Sequence, residues 1–148
     1  MSDEIPDEAL AHVAADCVCR RARMVARKVT RVYDEALRPA GLKITQFTLL
    51  VAIGKGAPGS VSLLAEALAM ERTTVVRNLQ LLEKDGLIRI GPEGIRRARA
   101  IRLTRAGRER LATAYPYWEK AQETLRQRLG DDDLQLTRTA LEKLARAV

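Results

Sequence analysis

Aromatic residues are scarce in this chain, 3% of 148 positions, with one Trp, one Phe and three Tyr. Any core it builds is therefore aliphatic. Histidine occurs once, at His12, which excludes a His-rich metal site. The two cysteines, Cys17 and Cys19, are too few for a disulfide framework. No stretch approaches the ~20 apolar residues that span a bilayer, and the acidic start MSDEIPDEAL lacks the basic and apolar regions of a signal peptide. A cytoplasmic chain without a membrane partner is expected. The parts of a catalytic site are missing too: there is no paired histidine, no Cys-x-x-Cys, no metal-ligand spacing and no glycine-rich phosphate loop. Neither an enzyme nor a cofactor is expected.

What the chain does have is positive charge and helical periodicity. The net charge of +7 points to a polyanionic partner, although charge alone does not separate nucleic acid from a membrane surface. Apolar residues at 47% are enough for one domain, or one domain with helical extensions.

From 7 to 38 the apolar positions Leu10, Val13, Cys17, Val18, Val25, Val29, Val32 and Ala36 recur mostly at three- and four-residue steps. They predict one amphipathic helix about 45 Å long, ended by Pro39. Such a rod exceeds what a small domain needs, and a second copy of the chain is the simplest partner for its unused apolar face. Thr45 is placed to cap a helix over 46–54 that buries Phe47, Leu50 and Ile53. Ser60 and Val61 suit a brief edge strand, and Ser62 a cap for a helix over 63–68. A further helix is expected over Arg72–Lys84, with Val75, Leu79 and Leu82 buried and Gly86 closing it. Residues 87–90 read as a strand, Gly91 to Gly94 as a turn, and 98–103 as the returning strand. Thr104 should cap a long helix reaching about Leu129, kinked at Pro116. The run 130–133 then separates it from a last helix over 134–148.

Two constellations carry chemistry. Between 64 and 79 the small Ala65, a turn near Ala69 and the apolar Val75 make a helix-turn-helix pattern, in which the first helix braces the second for entry into a major groove. Opposite its buried row the second helix offers Arg72, Thr73, Thr74, Val76, Arg77 and Asn78. Arg77 suits guanine and Asn78 adenine, while Thr73, Thr74 and Val76 suit phosphate oxygens or thymine methyls. An ordinary solvated helix face is the alternative. The second constellation weighs against it: Arg89, Arg96, Arg97, Arg99 and Arg102 cluster on the hairpin, more cations than protection of a sheet edge requires. An arginine at a ribbon tip can enter an A·T-rich minor groove while those along the strands meet the backbone. Double-stranded DNA is the expected partner. A third group, Arg20, Arg21, Arg23, Arg27, Lys28 and Arg31, is left between phosphate contact, an anionic effector and a solvated face.

With these residues laid out, the chain resembles the MarR family of bacterial winged helix-turn-helix regulators over nearly its whole length. Gly41 to Phe47 (GLKITQF) resembles the family's lead-in to its second helix. Arg72 to Leu79 (RTTVVRNL) with Leu82 to Ile88 (LEKDGLI) is similar to its recognition helix and exit, and Leu103 to Gly107 (LTRAG) to its wing-to-helix junction. Family wings carry an aspartate just before the arginine pair, where this chain has Ile95, and Glu71 stands where a serine or aspartate cap is usual.

The resemblance implies a mainly α fold with a small antiparallel β wing: a winged helix-turn-helix module at 42–104 and dimerisation helices at 7–38 and 105–148. It implies a homodimer on a pseudo-palindromic operator, commonly a repressor released by a small phenolic or lipophilic effector. Ser62 joins Arg72, Thr73, Thr74, Val76, Arg77, Asn78, Arg96, Arg97 and Arg99 as expected DNA contacts. Tyr33, Phe47 and Trp118 mark the expected effector pocket.

By the same resemblance Cys19 aligns with the reactive thiol of the organic-hydroperoxide-sensing branch, and Tyr33 with one of the two tyrosines that hold it. The other tyrosine's place is Arg23, which could stabilise a thiolate. Burial as a small hydrophobe is the competing role. On one continuous helix Cys17 and Cys19 fall on nearly opposite faces and cannot easily bridge. A winged-helix module used only for protein contact is the remaining alternative, separable from a DNA reader by the salt dependence of duplex binding.

Overall fold

The aliphatic periodicity folds into α-helices and one antiparallel ribbon in a computed structural model that describes residues 4–56, 59–93 and 99–148. In chain order these are α1 (Asp7–Asp16), α2 (Val18–Leu37), a 3-10 turn (Arg38–Ala40), α3 (Ile44–Gly54), α4 (Val61–Ala67), α5 (Arg72–Lys84), β1 (Ile88–Glu93), β2 (Arg99–Leu103), α6 (Arg105–Leu129) and α7 (Asp131–Arg146). The mainly helical fold with a small β wing is as expected.

The single rod expected over 7–38 is in fact two helices. Cys17 is extended at φ −65° and ψ 106°, and its backbone breaks the helix. Its sulfur accepts the Arg20 N–H at 3.4 Å and so caps α2. Arg20 and Arg21 fold back to donate to the Ala14 and Ala15 carbonyls at the end of α1, at 3.1 and 2.9 Å. Carbonyls that lose their helical partners need such donors. Two members of the unassigned arginine group thus close a helix end. The opposite-face geometry for Cys17 and Cys19 falls with the rod, because Cys17 is not helical.

Caps account for the other shifted boundaries. Thr45 lies inside α3. The first N–H of that helix, on Ile44, donates instead to Asp34 Oδ1 at 2.8 Å, and the Lys43 N–H to Gln46 Oε1 at 3.0 Å. Asp34 belongs to α2, so α3 is started by a residue from another element. Ser60, rather than Ser62, caps α4: its Oγ accepts the Leu63 N–H at 3.1 Å, and helix replaces the edge strand expected at Ser60 and Val61. Gly130 alone, at φ 83°, separates α6 from α7. Asp131, Asp132 and Asp133 enter the first turn of α7, where carboxylates face the positive end of the helix dipole. α6 runs through Pro116 to Leu129.

Leu37, Leu49, Leu50, Leu64, Val75, Leu79, Leu82 and Leu87 form the fully buried centre, and no buried residue is polar or charged among those described. α6 packs along α2, α3 and α7, which ties the winged module to the long helices. α1 and α7 bury none of their residues within the chain. Among the described residues, no helix is long and apolar enough to cross a membrane.

Candidate nucleic-acid interface

The second helix of the motif begins and ends where the sequence predicts, at Arg72 and Lys84. Val75, Leu79 and Leu82, at 0–2% exposure, turn one face to the core. Ala65 is buried where α4 meets α5. The intervening turn is made by Ala69 in the left-handed region at φ 49°, while the Met70 N–H donates to the Ala65 carbonyl at 2.8 Å. Glu71 makes no side-chain cap, as its chemistry at that position suggests.

On the opposite face Arg72, Thr73 and Arg77 are exposed, and Thr74, Val76 and Asn78 are half-buried. Asn78 donates from its amide nitrogen to the Thr74 carbonyl at 2.8 Å. That bond fixes the side chain along the helix and leaves its Oδ1 and one N–H for a base edge. Ser62 is exposed on α4. It shares a cleft of about 540 Å³ with Arg72, Val76, Gln80, Glu83, Ile90 and Gly91. This cleft joins the motif's two helices to the base of the wing.

In the wing, Ile88 pairs with Leu103, Arg89 with Arg102 and Ile90 with Ile101. The register then shifts before Glu93 meets Arg99. The shift takes up Gly91 and Pro92, which were expected to form the turn. Proline lacks the N–H that a regular ladder needs, and a bulge tolerates both residues. Residues 94–98, with Arg96 and Arg97, lie outside the described residues, and Arg99 is described only by its backbone. Arg89 and Arg102 are both exposed and stand directly opposite each other. Like charges across a ladder repel, so this pair is suited to a polyanion rather than to the isolated ribbon.

The wing is also bolted at its base. Thr104 Oγ1 accepts the Gly107 N–H at 3.0 Å, capping α6, and donates to the Gly86 carbonyl at 2.6 Å. The sequence pointed to this cap but not to its second bond. It also missed the contact from the Ile90 N–H to Glu83 Oε1, at 3.1 Å.

The residues expected around an effector pocket lie elsewhere, between α2, α3 and α6. Tyr33 is 8% exposed and donates its hydroxyl to Gln122 Oε1 at 2.7 Å. Burial raises its phenol pKa above the ordinary value, with Arg138 pulling the other way. Phe47 stacks on Trp118 with ring centroids 6.3 Å apart, and Tyr115 covers the same indole at 5.8 Å. Cys19 is exposed and Cys17 half-buried, both as free thiols.

Comparison with known proteins places this geometry. A sequence model of the MarR family matches residues 40–98. The crystal structure of the M. tuberculosis transcriptional regulator MosR is 36% identical, with a TM-score of 0.77, covering 90% of this chain and 98% of its own. The same regulator in complex with DNA is 36% identical with a TM-score of 0.74, covering 89% and 98%. A mutant of MarR from E. coli complexed with operator DNA shares the fold at a TM-score of 0.78 and 21% identity, covering 90% and 96%. No curated protein matches the chain by sequence. The chain belongs to the MarR family of winged helix-turn-helix transcriptional regulators.

Proposed function

We propose that this chain is a sequence-specific DNA-binding repressor that acts as a homodimer and is released by a small phenolic or lipophilic effector. In this reading residues 42–104 read DNA, and the segments 7–38 and 105–148 pair two copies. α5 lies in the major groove, with Arg77 and Asn78 on base edges and Arg72, Thr73, Thr74, Val76 and Ser62 around them. Arg96, Arg97 and Arg99 take the flanking groove and backbone. The observation that carries the reading is the facing pair Arg89 and Arg102 on the wing, a cation density the ribbon itself opposes, together with the polar outer face of α5. The DNA complex of the 36% identical MosR supports it.

Dimerisation is supported by apolar side chains that the chain leaves uncovered: Val13 at 54%, Leu136 at 66% and Leu141 at 55% exposure. Two copies would bind a pseudo-palindromic site with half-sites about one helical turn apart, roughly 34–36 Å. Tyr33, Phe47 and Trp118 sit where the long helices meet the winged module, the place for an effector to act. The test is selection of bound sequences from a random duplex pool, followed by titration at several salt concentrations. A two-fold-symmetric consensus and a steep negative slope, about −0.9 per phosphate contacted, are expected. A monomer indifferent to every duplex at low salt would overturn the proposal.

A second reading places the signal at Cys19, whose free thiol is exposed beside the α1–α2 break. Hydroperoxide treatment should then add mass at Cys19 and release DNA. A Cys19→Ser protein that still responds to oxidant would discard this reading.

A further inference from the structure

We infer that Glu83 is a positioning residue for the wing: its carboxylate fixes the outer edge of β1 to α5 and so sets where the exposed Arg89 and Arg102 lie relative to the DNA-reading helix. The inference rests on the DNA-binding role proposed above and adds a residue to it.

A carboxylate is out of place here by charge alone. It lines the same cleft as Arg72, and the wing whose base it holds carries the exposed Arg89 and Arg102. Toward phosphates its Coulomb contribution is unfavourable at every distance. Its described contact is with backbone: Glu83 Oε1 accepts the Ile90 N–H at 3.1 Å. In a two-stranded ribbon alternate N–H groups point away from the partner strand, and an isolated ribbon of this kind is marginal in water. Ile90 is in register with Ile101, and its N–H reaches α5 rather than completing the ladder. The bond therefore sits on the last regular rung before the register shift between Ile90 and Glu93. The described end of β1, Gly91 to Glu93, continues from that rung. At the other side of the ribbon's base the Thr104 hydroxyl holds the Gly86 carbonyl. Glu83 and Thr104 thus hold β1 and the end of β2 to the α5 exit from two sides, and a charged acceptor makes the stronger kind of hydrogen bond.

Two substitutions separate anchoring from charge. Glu83→Gln keeps an acceptor oxygen and removes the negative charge; Glu83→Ala removes both. Full-length wild type and both variants are titrated with a duplex selected from the random pool, at several salt concentrations. Exchange of the Ile90 amide is followed in the free proteins by NMR. Anchoring predicts Ile90 exchange about ten-fold faster in Glu83→Ala and only about three-fold faster in Glu83→Gln, which keeps a neutral acceptor. It also predicts weaker DNA binding and a shallower salt slope for Glu83→Ala, although that variant carries one negative charge fewer, and equal or tighter binding for Glu83→Gln. If both variants bind DNA more tightly and alike, Glu83 acts only as a like charge and the inference is overturned. Unchanged Ile90 exchange in Glu83→Ala, with normal binding by wild type, overturns the anchor by itself. Wild-type protein that binds no duplex overturns the DNA reading, whatever the amide shows.

Discussion

Gly107 approaches the Leu87 carbonyl so closely that a β-carbon at that position would lie 2.0 Å from its oxygen. The contact belongs to a junction in which the Thr104 N–H donates to the same Leu87 carbonyl at 3.0 Å and the Thr104 hydroxyl donates to Gly86. The exit of α5, the approach to β1 and the start of α6 therefore meet through Gly86 and Leu87 on one side and Thr104 and Gly107 on the other. Gly107 and Leu87 meet backbone to backbone, with no flexible side chain between them.

Gly107→Ala should for this reason be destabilising even though alanine is the better helix former. The atom met is backbone, so relief requires the helix to shift. A loss of about 1–3 kcal/mol is expected, in the range of core overpacking. Urea denaturation measures it, and an unchanged midpoint would show that the junction yields freely.

Where the outcome depended on side-chain periodicity, it was legible in the sequence. α5 kept its bounds because Val75, Leu79 and Leu82 repeat at helical spacing and Gly86 supplies the positive φ that closes it, 72°. Thr104 was legible for the same local reason. What escaped depended on partners distant in sequence or on side chains outside the expected set. Asp34 caps α3 from α2, which no reading of the segment around Thr45 reveals. The adjacent apolar pair Cys17 and Val18 was a phase slip in an otherwise three-and-four pattern, and it marks the helix break. Its cause, the return of Arg20 and Arg21 onto the carbonyls of α1, is geometry and not pattern. Glu83 carries no local mark of its role, because its partner, the Ile90 N–H, lies seven residues on in another element.

Arg102→Ala separates the needs of the ribbon from the needs of binding. Removing one member of the Arg89–Arg102 pair relieves a cross-strand repulsion, and cross-strand pair terms run at about 0.2–1 kcal/mol. Stability should hold or rise slightly. DNA affinity should fall, with the salt slope reduced by about 0.9 for the lost phosphate contact. Arg97→Ala is expected to flatten the slope in the same way. A normal slope in both variants would remove the wing from the interface.

Tyr33→Phe tests the seam between α2 and α6. The hydroxyl's bond to Gln122 is lost, costing roughly 1 kcal/mol at neutral pH. The pH dependence has a definite sign. Burial raises the Tyr33 pKa from its ordinary 10.0. The folded state thus disfavours the phenolate, and the stability this group contributes is complete below the unfolded value. It is lost as the pH rises through the folded one. The variant should therefore lose less stability above pH 10 than wild type. Parallel alkaline limbs in chemical denaturation would show that Tyr33 ionises as freely in the fold as outside it.

Arg77 decides whether α5 reads bases or only follows the backbone. It is exposed on the helix face opposite Val75 and Leu79, one residue before the amide that Asn78 tethers to Thr74. A bidentate arginine–guanine contact is worth about 1–3 kcal/mol of discrimination. Arg77→Ala should lose that amount on the selected operator and much less on a duplex altered at the matching base pair. Titrating both proteins against both duplexes closes a double-mutant cycle. A coupling energy near zero, with equal weakening on each sequence, would assign Arg77 to phosphate and leave Asn78 as the base-reading candidate on that face.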